Sequence, residues 1–390
     1  MNIFELSSVQ QLSYLQPETI PKIRFKGFTD DWEQRKLSNI VDVCSGRDYK
    51  HLNDGDIPVY GTGGYMLSVS EALSEKDDAI GIGRKGTIDN PFILRAPFWT
   101  VDTLFYCVPK DNYDLNFTYC VFQNINWKSK DESTGVPSLS KTTINNIEVM
   151  TPTPAEQKKI GDYFTALDNL ITLHQRKLDN LKNIKKSMLQ KLFPKKGEKY
   201  PEVRFKGFNG DWEQRELGDV FKEYSEKNHL KLPPLTIIQG KGTILREESD
   251  RNLQYDKANL AGYKLVRKND LIVHLRSFEG GLERANTDGI VSPAYHMFHG
   301  DNTDTRFYYP FFRSKRFIDS LLKPHVYGIR DGKSIDIEGM KTIIIPVPSY
   351  EEQRRIGDFI ESMDNLITLH QRKLDNLNNI KKGFLQQMFA

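Results

Sequence analysis

Hydrophobic residues follow their clearest pattern in two segments, about residues 155–192 and 351–389, where apolar side chains recur in alternating steps of four and three. A 3.5-residue repeat sustained over three heptads predicts long helices that pack along one seam, as in a coiled coil. A helix of this length would extend about 57 Å at 1.5 Å per residue. The predicted seam positions are Ile160, Phe164, Leu167, Ile171, His174, Leu178 and Leu181 in the first segment, and Ile356, Ile360, Met363, Ile367, His370, Leu374 and Leu377 in the second.

Two histidines, His174 and His370, occupy seam positions that are otherwise apolar. We interpret them as polar residues that set the register of the helix pair. A metal site or a pH switch is the alternative interpretation.

The chain is a tandem duplication. Residues 168–181 recur without a change at residues 364–377, an offset of 196 residues, and the Arg-Phe-Lys-Gly-Phe sequence of residues 24–28 recurs at residues 204–208, an offset of 180. The repeat is far too long for a solenoid and therefore describes two domain-sized copies. Because the shared segments stayed alike while the blocks between them diverged, the pattern indicates one scaffold that carries two domains with different targets.

Chain order constrains the geometry of the helix pair. The second variable block begins within about ten residues of the end of the first helix, and the second helix follows this block directly. If the two seams pack together, the helices must therefore run antiparallel, with an approximate twofold axis across the pair. Two related domains with that symmetry would match the dyad symmetry of duplex DNA.

The variable blocks alternate short β-rich runs with turn signals and a few helical stretches, which predicts mixed α/β domains with twisted sheets, an α+β fold. The predicted strands include residues 56–60, 79–82, 270–275 and 341–346, and the predicted short helices are residues 116–124 and 305–322.

Polar and basic turns in these blocks are the candidates for DNA contact, because glycine lets the backbone approach a phosphate while Arg and Lys reach phosphates or guanine edges. Turns of this kind are about as often solvated loops, so the alternative stays open at each position. The candidates are Thr62, Tyr65, Arg84, Lys85, Ser138 and Lys141 in the first block, and Arg276, Ser277, Arg330, Lys333 and Ser334 in the second.

Composition limits the remaining possibilities. The net charge is only +3, so any DNA-binding surface must come from local clustering of cations. The three cysteines form no C-x-x-C pair, which argues against a disulfide framework or a zinc site, and a reducing cytoplasm fits best. We find no signal peptide, no stretch that could cross a membrane, and no nucleotide-binding, methyltransferase or hydrolase motif. No catalytic or metal-binding residue is assigned.

From about residue 21 onward, the chain resembles the specificity subunits of Type I restriction-modification systems. The motifs are Arg-Phe-x-Gly-Phe followed by Trp-Glu at the start of each half, and Pro-x-Pro followed shortly by Glu-Gln-x-x-Ile at the entry to each helix, in residues 152–160 and 346–356. The resemblance implies an N-terminal extension (1–20), a first target recognition domain (21–150), a first spacer helix (151–194), a second recognition domain with a basic linker (195–347) and a second spacer helix (348–390).

The resemblance also implies the function. Such a subunit reads a bipartite sequence of double-stranded DNA with a fixed gap, and joins two methyltransferase subunits and, in the full complex, two restriction subunits. It has no cofactor of its own, because S-adenosylmethionine, ATP and Mg²⁺ belong to the partner subunits, which methylate adenine N6 or cleave DNA. The alternatives are a stand-alone DNA methyltransferase or nuclease with internal recognition domains, and an interaction scaffold that binds no DNA.

Overall fold

The computed structural model describes residues 6–8, 21–249, 257–328 and 333–389. The chain divides into two compact units, one formed by residues 1–176 with residues 371–390 and the other by residues 177–370. Each unit therefore combines one variable block with parts of both shared segments. Every helix in the described ranges is too short or too polar to cross a bilayer.

The first unit is built mainly from antiparallel strands. Four strands form a sheet in the order β4-β10-β7-β8, three form a second sheet in the order β6-β5-β9, and β3 pairs with β11. The strands are β1 (Leu6–Ser8), β2 (Ile23–Phe25), β3 (Glu33–Lys36), β4 (Val41–Ser45), β5 (Asp54–Gly61), β6 (Gly64–Val69), β7 (Ala79–Gly83), β8 (Phe92–Leu94), β9 (Trp99–Thr100), β10 (Leu104–Pro109) and β11 (Glu148–Thr151). Its helices are α1 (Leu37–Ile40), α2 (Leu115–Asn124), α3 (Lys141–Asn146) and the start of α4 (Pro154–Lys191).

The second unit repeats this plan. A four-stranded sheet in the order β13-β20-β17-β18 corresponds to the four-stranded sheet of the first unit, and the pair β12-β23 corresponds to β3-β11. The strands are β12 (Glu213–Glu216), β13 (Lys222–Tyr224), β14 (Leu235–Ile238), β15 (Gly242–Leu245), β16 (Lys264–Val266), β17 (Leu271–Val273), β18 (Glu283–Arg284), β19 (Gly289–Val291), β20 (His296–His299), β21 (Val326–Tyr327), β22 (Ser334–Ile335) and β23 (Ile344–Val347). The helices are α5 (Leu217–Val220), α6 (Ser277–Gly280), α7 (Thr305–Phe312), α8 (Ile337–Lys341) and the start of α9 (Tyr350–Met388).

The helix predicted over residues 305–322 is interrupted. The α-helix ends at Phe312, and residues 316–322 form a separate π-helical segment. Continuous periodicity therefore overestimated this element.

The long helices α4 and α9 run antiparallel within each unit. In the first unit, the ring of Tyr163 lies 5.5 Å from that of Phe384, and Lys381 donates to the Asp168 carboxylate at 2.6 Å. In the second unit, the corresponding ion pair joins Lys185 to Asp364. Partner positions fall along one helix as they rise along the other, which confirms the predicted fold class of mixed α/β domains with long antiparallel helices.

The predicted seam positions lie on the inner faces of these helices. Ile160, Phe164 and Leu167 are buried in the first unit, and Ile356, Ile360 and Met363 are buried in the second. His174 and His370 are half-buried. Among the described residues, no group of three or more His, Cys, Asp or Glu side chains is placed to hold a metal ion.

A buried ion pair joins the start of each variable block to the long helix that follows it. Arg24 donates from Nε and Nη2 to both carboxylate oxygens of Glu156 at 2.7 Å, and the two side chains are only 5% and 1% exposed. The hydrogen bonds to Glu156 raise the pKa of Arg24 further above its usual value. In the second unit, Arg204 makes the same two bonds to Glu352 at 2.6 and 2.7 Å. The arginine of each Arg-Phe-x-Gly-Phe motif therefore binds the glutamate in the first turn of the following long helix.

The glutamine that follows each glutamate ties the helix to the variable block. Gln157 donates to the Pro152 carbonyl and accepts the Asp114 N–H, and Asp114 caps α2. Gln353 makes the same bonds to Pro348 and to Asp304, which caps α7. Both residues of the Glu-Gln pair thus have a defined partner in each unit.

Replacing Glu156 by Ala should destabilise the first unit strongly, because it leaves the Arg24 guanidinium buried without its carboxylate. Removal of one member of a buried pair typically costs about 3–5 kcal/mol. We expect a large fall in the urea midpoint monitored by tryptophan fluorescence. The matched control is Asp162→Ala on the same helix, whose exposed pair with Lys158 should contribute under about 1 kcal/mol. Similar midpoints for the two variants would contradict this account of the ion pair.

Candidate nucleic-acid interface

Three loops that are distant in sequence meet in the first unit. They are the β5–β6 turn, the loop after β7, and residues 131–138. Lys85 forms an antiparallel bridge with Ser138, and the Gly86 N–H donates to the Pro137 carbonyl at 2.8 Å. A Cβ atom on Gly86 would lie 4.0 Å from Thr62 Oγ1, so the β5–β6 turn adjoins the same place. The structure therefore brings together loops that the sequence suggested separately.

The loop after β7 is held in a fixed conformation. All five residues of β7 are buried, so the strand anchors the loop in the sheet. A Cβ atom on Gly83 would approach the Thr87 carbonyl oxygen to 1.9 Å, and Gly86 has a φ of +98°. Both conditions favour glycine, because a larger residue would clash at the first position and be strained at the second.

Exposed cationic and aromatic side chains project from this region. The Arg84 guanidinium lies 5.8 Å from the centre of the Phe105 ring and donates to the Asp102 carbonyl at 3.3 Å. Lys85 is exposed, and so is Lys141 at the start of α3. Tyr65 is 63% exposed, with its hydroxyl 3.2 Å from Ser68 Oγ. Such groups can contact phosphates and base edges.

Asp131 organises the third loop, although the sequence analysis did not single it out. Its Oδ1 accepts hydrogen bonds from the Ser133 N–H, the Ser133 hydroxyl and the Ser138 N–H at 2.9–3.0 Å. These bonds, first those from the Ser138 and Ser133 amides, hold the pKa of Asp131 below its usual value. The Asp-x-Ser spacing, typical of an Asx-turn, was the available signal.

In the second unit, the β14–β15 turn rests on a buried glutamate. Glu283 is fully buried and accepts the N–H groups of Gly240 and Gly242 at 2.7 and 3.2 Å. It also accepts the Tyr309 hydroxyl at 2.7 Å and pairs with Arg313. No sequence pattern predicted this arrangement, because the residues involved come from three separate elements.

The loop after β17 carries one exposed candidate and one that is buried. Arg276 is exposed, and the neighbouring Leu275 is 66% exposed. Ser277 is completely buried, and its hydroxyl accepts the His274 N–H at 2.9 Å. The burial of Ser277 argues against a contact between its side chain and DNA, because the hydroxyl is used to hold the turn.

The β14–β15 turn packs against this loop. A Cβ atom on Gly280 would lie 1.8 Å from Gln239 Nε2, so the glycine lets the Gln239 side chain lie directly against this loop. Gln239 and Lys241, at the tip of the turn, are exposed. Neither residue was predicted as a candidate from the sequence, because the packing of this turn depends on residues far away in the chain.

The remaining candidates of the second unit lie close to α6. The Lys333 ammonium is 5.7 Å from the centre of the Phe278 ring. Ser334 is exposed and pairs with Tyr327, which is 59% exposed. Arg330 lies outside the described residues. The second unit thus repeats the meeting of a hairpin turn, a strand-end loop and a late loop, but with different side chains.

His274 gives the second unit a pH dependence. Burial, and then the charge of Arg313, lower the pKa of this histidine to about 4. As the pH falls from about 6.5 towards 4, the unfolded chain binds a proton that the folded unit does not bind, so stability decreases. We expect His274→Asn to make this decrease shallower in urea midpoints measured between pH 4 and 7. His51→Asn, at an exposed histidine of the first unit, is the control. An unchanged pH profile in the His274 variant would contradict this assignment.

Comparisons with known proteins agree with this architecture. The family model of the Type I restriction modification DNA specificity domain matches twice, at residues 29–183 and 209–379. The MjaVIII specificity subunit of a Type I restriction enzyme from Methanocaldococcus jannaschii is 26% identical, over 67% of this chain and 66% of that protein. The putative MjaX specificity subunit of the same organism is 21% identical over 97% of both chains.

A solved structure has a similar fold. The S subunit of a Type I restriction-modification system from M. genitalium superposes with a TM-score of 0.65 at 13% identity, covering 95% of this chain and 99% of that one. The match supports the fold, and the family model covers most of the chain in two successive copies. This chain therefore belongs to the Type I restriction-modification DNA specificity family, as a specificity subunit with two recognition domains in tandem.

Proposed function

We propose that each unit reads one half of a bipartite target on duplex DNA, through the loop cluster described above. The observation that carries this proposal is the repetition itself. Both units assemble a hairpin turn, a strand-end loop and a late loop at corresponding places, on nearly identical helices but with different exposed side chains. A common scaffold with unlike loops is what two different half-sites require.

The exposed groups suit the two tasks of DNA recognition. Lysine and arginine contacts to phosphates supply affinity that falls as salt rises, and contacts to base edges supply the sequence preference. Arg84, Lys85 and Tyr65 are available in the first unit, and Arg276, Lys333 and Gln239 in the second. Each bidentate base contact would contribute roughly 1–3 kcal/mol of discrimination.

We further propose that the chemistry resides on partner subunits. In this proposal the chain recognises the target sequence. Two methyltransferase subunits bind S-adenosylmethionine for adenine N6 methylation, and two restriction subunits bind ATP and Mg²⁺ for cleavage. Incubating the purified chain with DNA and labelled S-adenosylmethionine separates this proposal from a stand-alone methyltransferase, because transfer by the chain alone would favour the enzyme.

The outer surfaces of the long helices offer a place for partner subunits. Leu170 and Leu173 are 44% and 45% exposed, and Leu366 and Leu369 of the second copy are 43% and 46% exposed. Exposed leucines repeated at the same positions of two helices are unfavourable in water, and they are typical of surfaces that pair with another helix. We propose that they contact the methyltransferase subunits.

The DNA-reading role is tested by the double substitution Arg84→Ala and Lys85→Ala. In complex with its methyltransferase partner, we expect about 10- to 100-fold weaker binding of the cognate duplex, from the loss of one or two contacts. Sequencing of N6-methyladenine should show relaxed specificity in only one half of the target.

The matched control for this experiment removes the same charge from the opposite end of the same strand. Lys76→Ala and Arg95→Ala flank the start of β7, where Arg95 pairs with Asp78. This control should keep affinity and specificity. A wild-type complex that bound no duplex DNA, even at low salt, would favour the interaction scaffold.

Partner docking is tested by Leu170→Glu and Leu173→Glu. Both side chains are already exposed, so folding should be preserved while co-purification with the methyltransferase subunit is lost. The control, Asn169→Glu and Thr172→Glu, adds the same charge at neighbouring exposed positions on another side of the helix. Loss of the partner from both variants would indicate a charge effect, and retention by both would contradict the proposed docking surface.

A further inference from the structure

A large groove opens in the second unit between α7, the end of α4 and the start of α9. Its volume is about 1180 Å³. Apolar side chains such as Leu189, Phe193 and Ile360 line it together with nine lysines and arginines, against only two carboxylates, Glu361 and Asp364. A charge excess of this size is unusual in a chain whose net charge is only +3.

Four of the nine cations have carboxylate partners within the unit. Arg306 pairs with Asp304, Asp358 and Glu361, and the other three pairs are Arg313 with Glu283, Lys185 with Asp364, and Lys195 with Glu202. These four help to hold the walls of the groove and are largely neutralised.

The other five cations are not neutralised in this way. In the described part of the chain, the ion pairs give no carboxylate partner to Lys182, Lys186, Arg284, Lys315 or Arg316. Arg284 lies over the Tyr309 ring at 5.8 Å, and Arg316 donates to the Pro194 carbonyl. The groove therefore presents several positive charges that a bound anion could neutralise.

The groove is continuous with the candidate interface of the same unit. Gly240, at the tip of the β14–β15 turn, also lines the groove, and Arg284 ends β18, the strand that carries Glu283. A ligand that contacts the recognition loops would meet these cations next. Duplex DNA carries one negative charge per about 1.7 Å of its axis, so its backbone would match them.

The first unit lacks the three cations that lie at or just after the end of α7 in the second unit. The bond from the Asp114 N–H to Gln157 corresponds to the bond from the Asp304 N–H to Gln353, so α2 and α7 can be aligned from their caps. Counted from these caps, Arg313, Lys315 and Arg316 of the second unit correspond to Gln123, Ile125 and Asn126 of the first. The wall of the groove at the end of α7 is thus basic in only one half of the duplication, whereas Lys186 on the long helix has a counterpart in Lys382.

We propose that this groove binds the sugar–phosphate backbone of the target duplex beyond the bases that the second unit reads. The inference rests on the proposed DNA-reading function and adds that the two units divide the work unequally. The second unit supplies a larger share of the sequence-independent, salt-dependent affinity. An acidic segment of a partner protein is the competing occupant, but the continuity with the recognition loops favours DNA.

The test is the triple substitution of Lys182, Lys186 and Lys315 by Ala, made in the complex with the methyltransferase. These side chains are exposed, so the fold should be unaffected. Each lost phosphate contact lowers the slope of log K against log salt by about 0.9, so the slope should fall by about 2 to 3. The methylated sequence should stay the same, because no base contact is removed.

The control triple replaces Lys36, Lys76 and Lys382, three exposed lysines of the first unit, of which Lys382 is the counterpart of Lys186. This control should change the slope of log K against log salt by less than about 0.9, the value of one phosphate contact. An equal change of slope in both variants, or an unchanged slope in the groove variant, would overturn the inference about the groove. If the wild type still bound duplex DNA, the proposed function would stand. Loss of the partner subunit without a change in slope would identify the groove as a protein site instead. No duplex binding by the wild type would refute the proposed function itself.

Discussion

One arginine–glutamate ion pair in each unit fixes the junction between the variable block and the long helix that follows it. Arg24 with Glu156, and Arg204 with Glu352, close a loop of more than 130 residues by joining the start of a variable block to the first turn of a long helix. Such a pair is costly to desolvate and is favourable only when its geometry is good and its other bonds are satisfied. Here both oxygens of each carboxylate are used, and a guanidinium nitrogen of each arginine reaches a further backbone carbonyl.

This ion pair and the adjacent glutamine hold the junction between the helix and the variable block, which must stay constant, whereas the recognition loops can change. The glutamine binds the N–H of the aspartate that caps α2 or α7, so the first helix of the variable block is fixed to the scaffold by backbone and cap contacts. The loops at the far ends of β7 and β17 take no part in these bonds. They can therefore diverge in sequence without disturbing the junction, as two recognition domains on one scaffold require.

The two units also hold their loops in place by different means. The first unit organises its late loop with Asp131, an exposed carboxylate that accepts hydrogen bonds from backbone amides and a hydroxyl. The second unit supports its hairpin turn with Glu283, a buried carboxylate that requires Arg313 beside it. Arg313 also lines the basic groove. The end of α7 therefore both supports the hairpin turn and contributes to the proposed binding of the DNA backbone.

The amino-acid sequence alone predicted the duplication, the mixed α/β class, and the long helices to within about one residue at each end, because heptad periodicity and exact repetition are local signals. It also selected Arg84, Lys85 and Ser138 as candidates. The tertiary fold was needed to show that Lys85 and Ser138 are neighbours, that Ser277 is buried, that Glu283 supports the β14–β15 turn, and that nine cations line one groove. These features arise between residues that are far apart in the chain. Their distances, burial and ion pairing depend on the folded structure and cannot be predicted from a local sequence pattern.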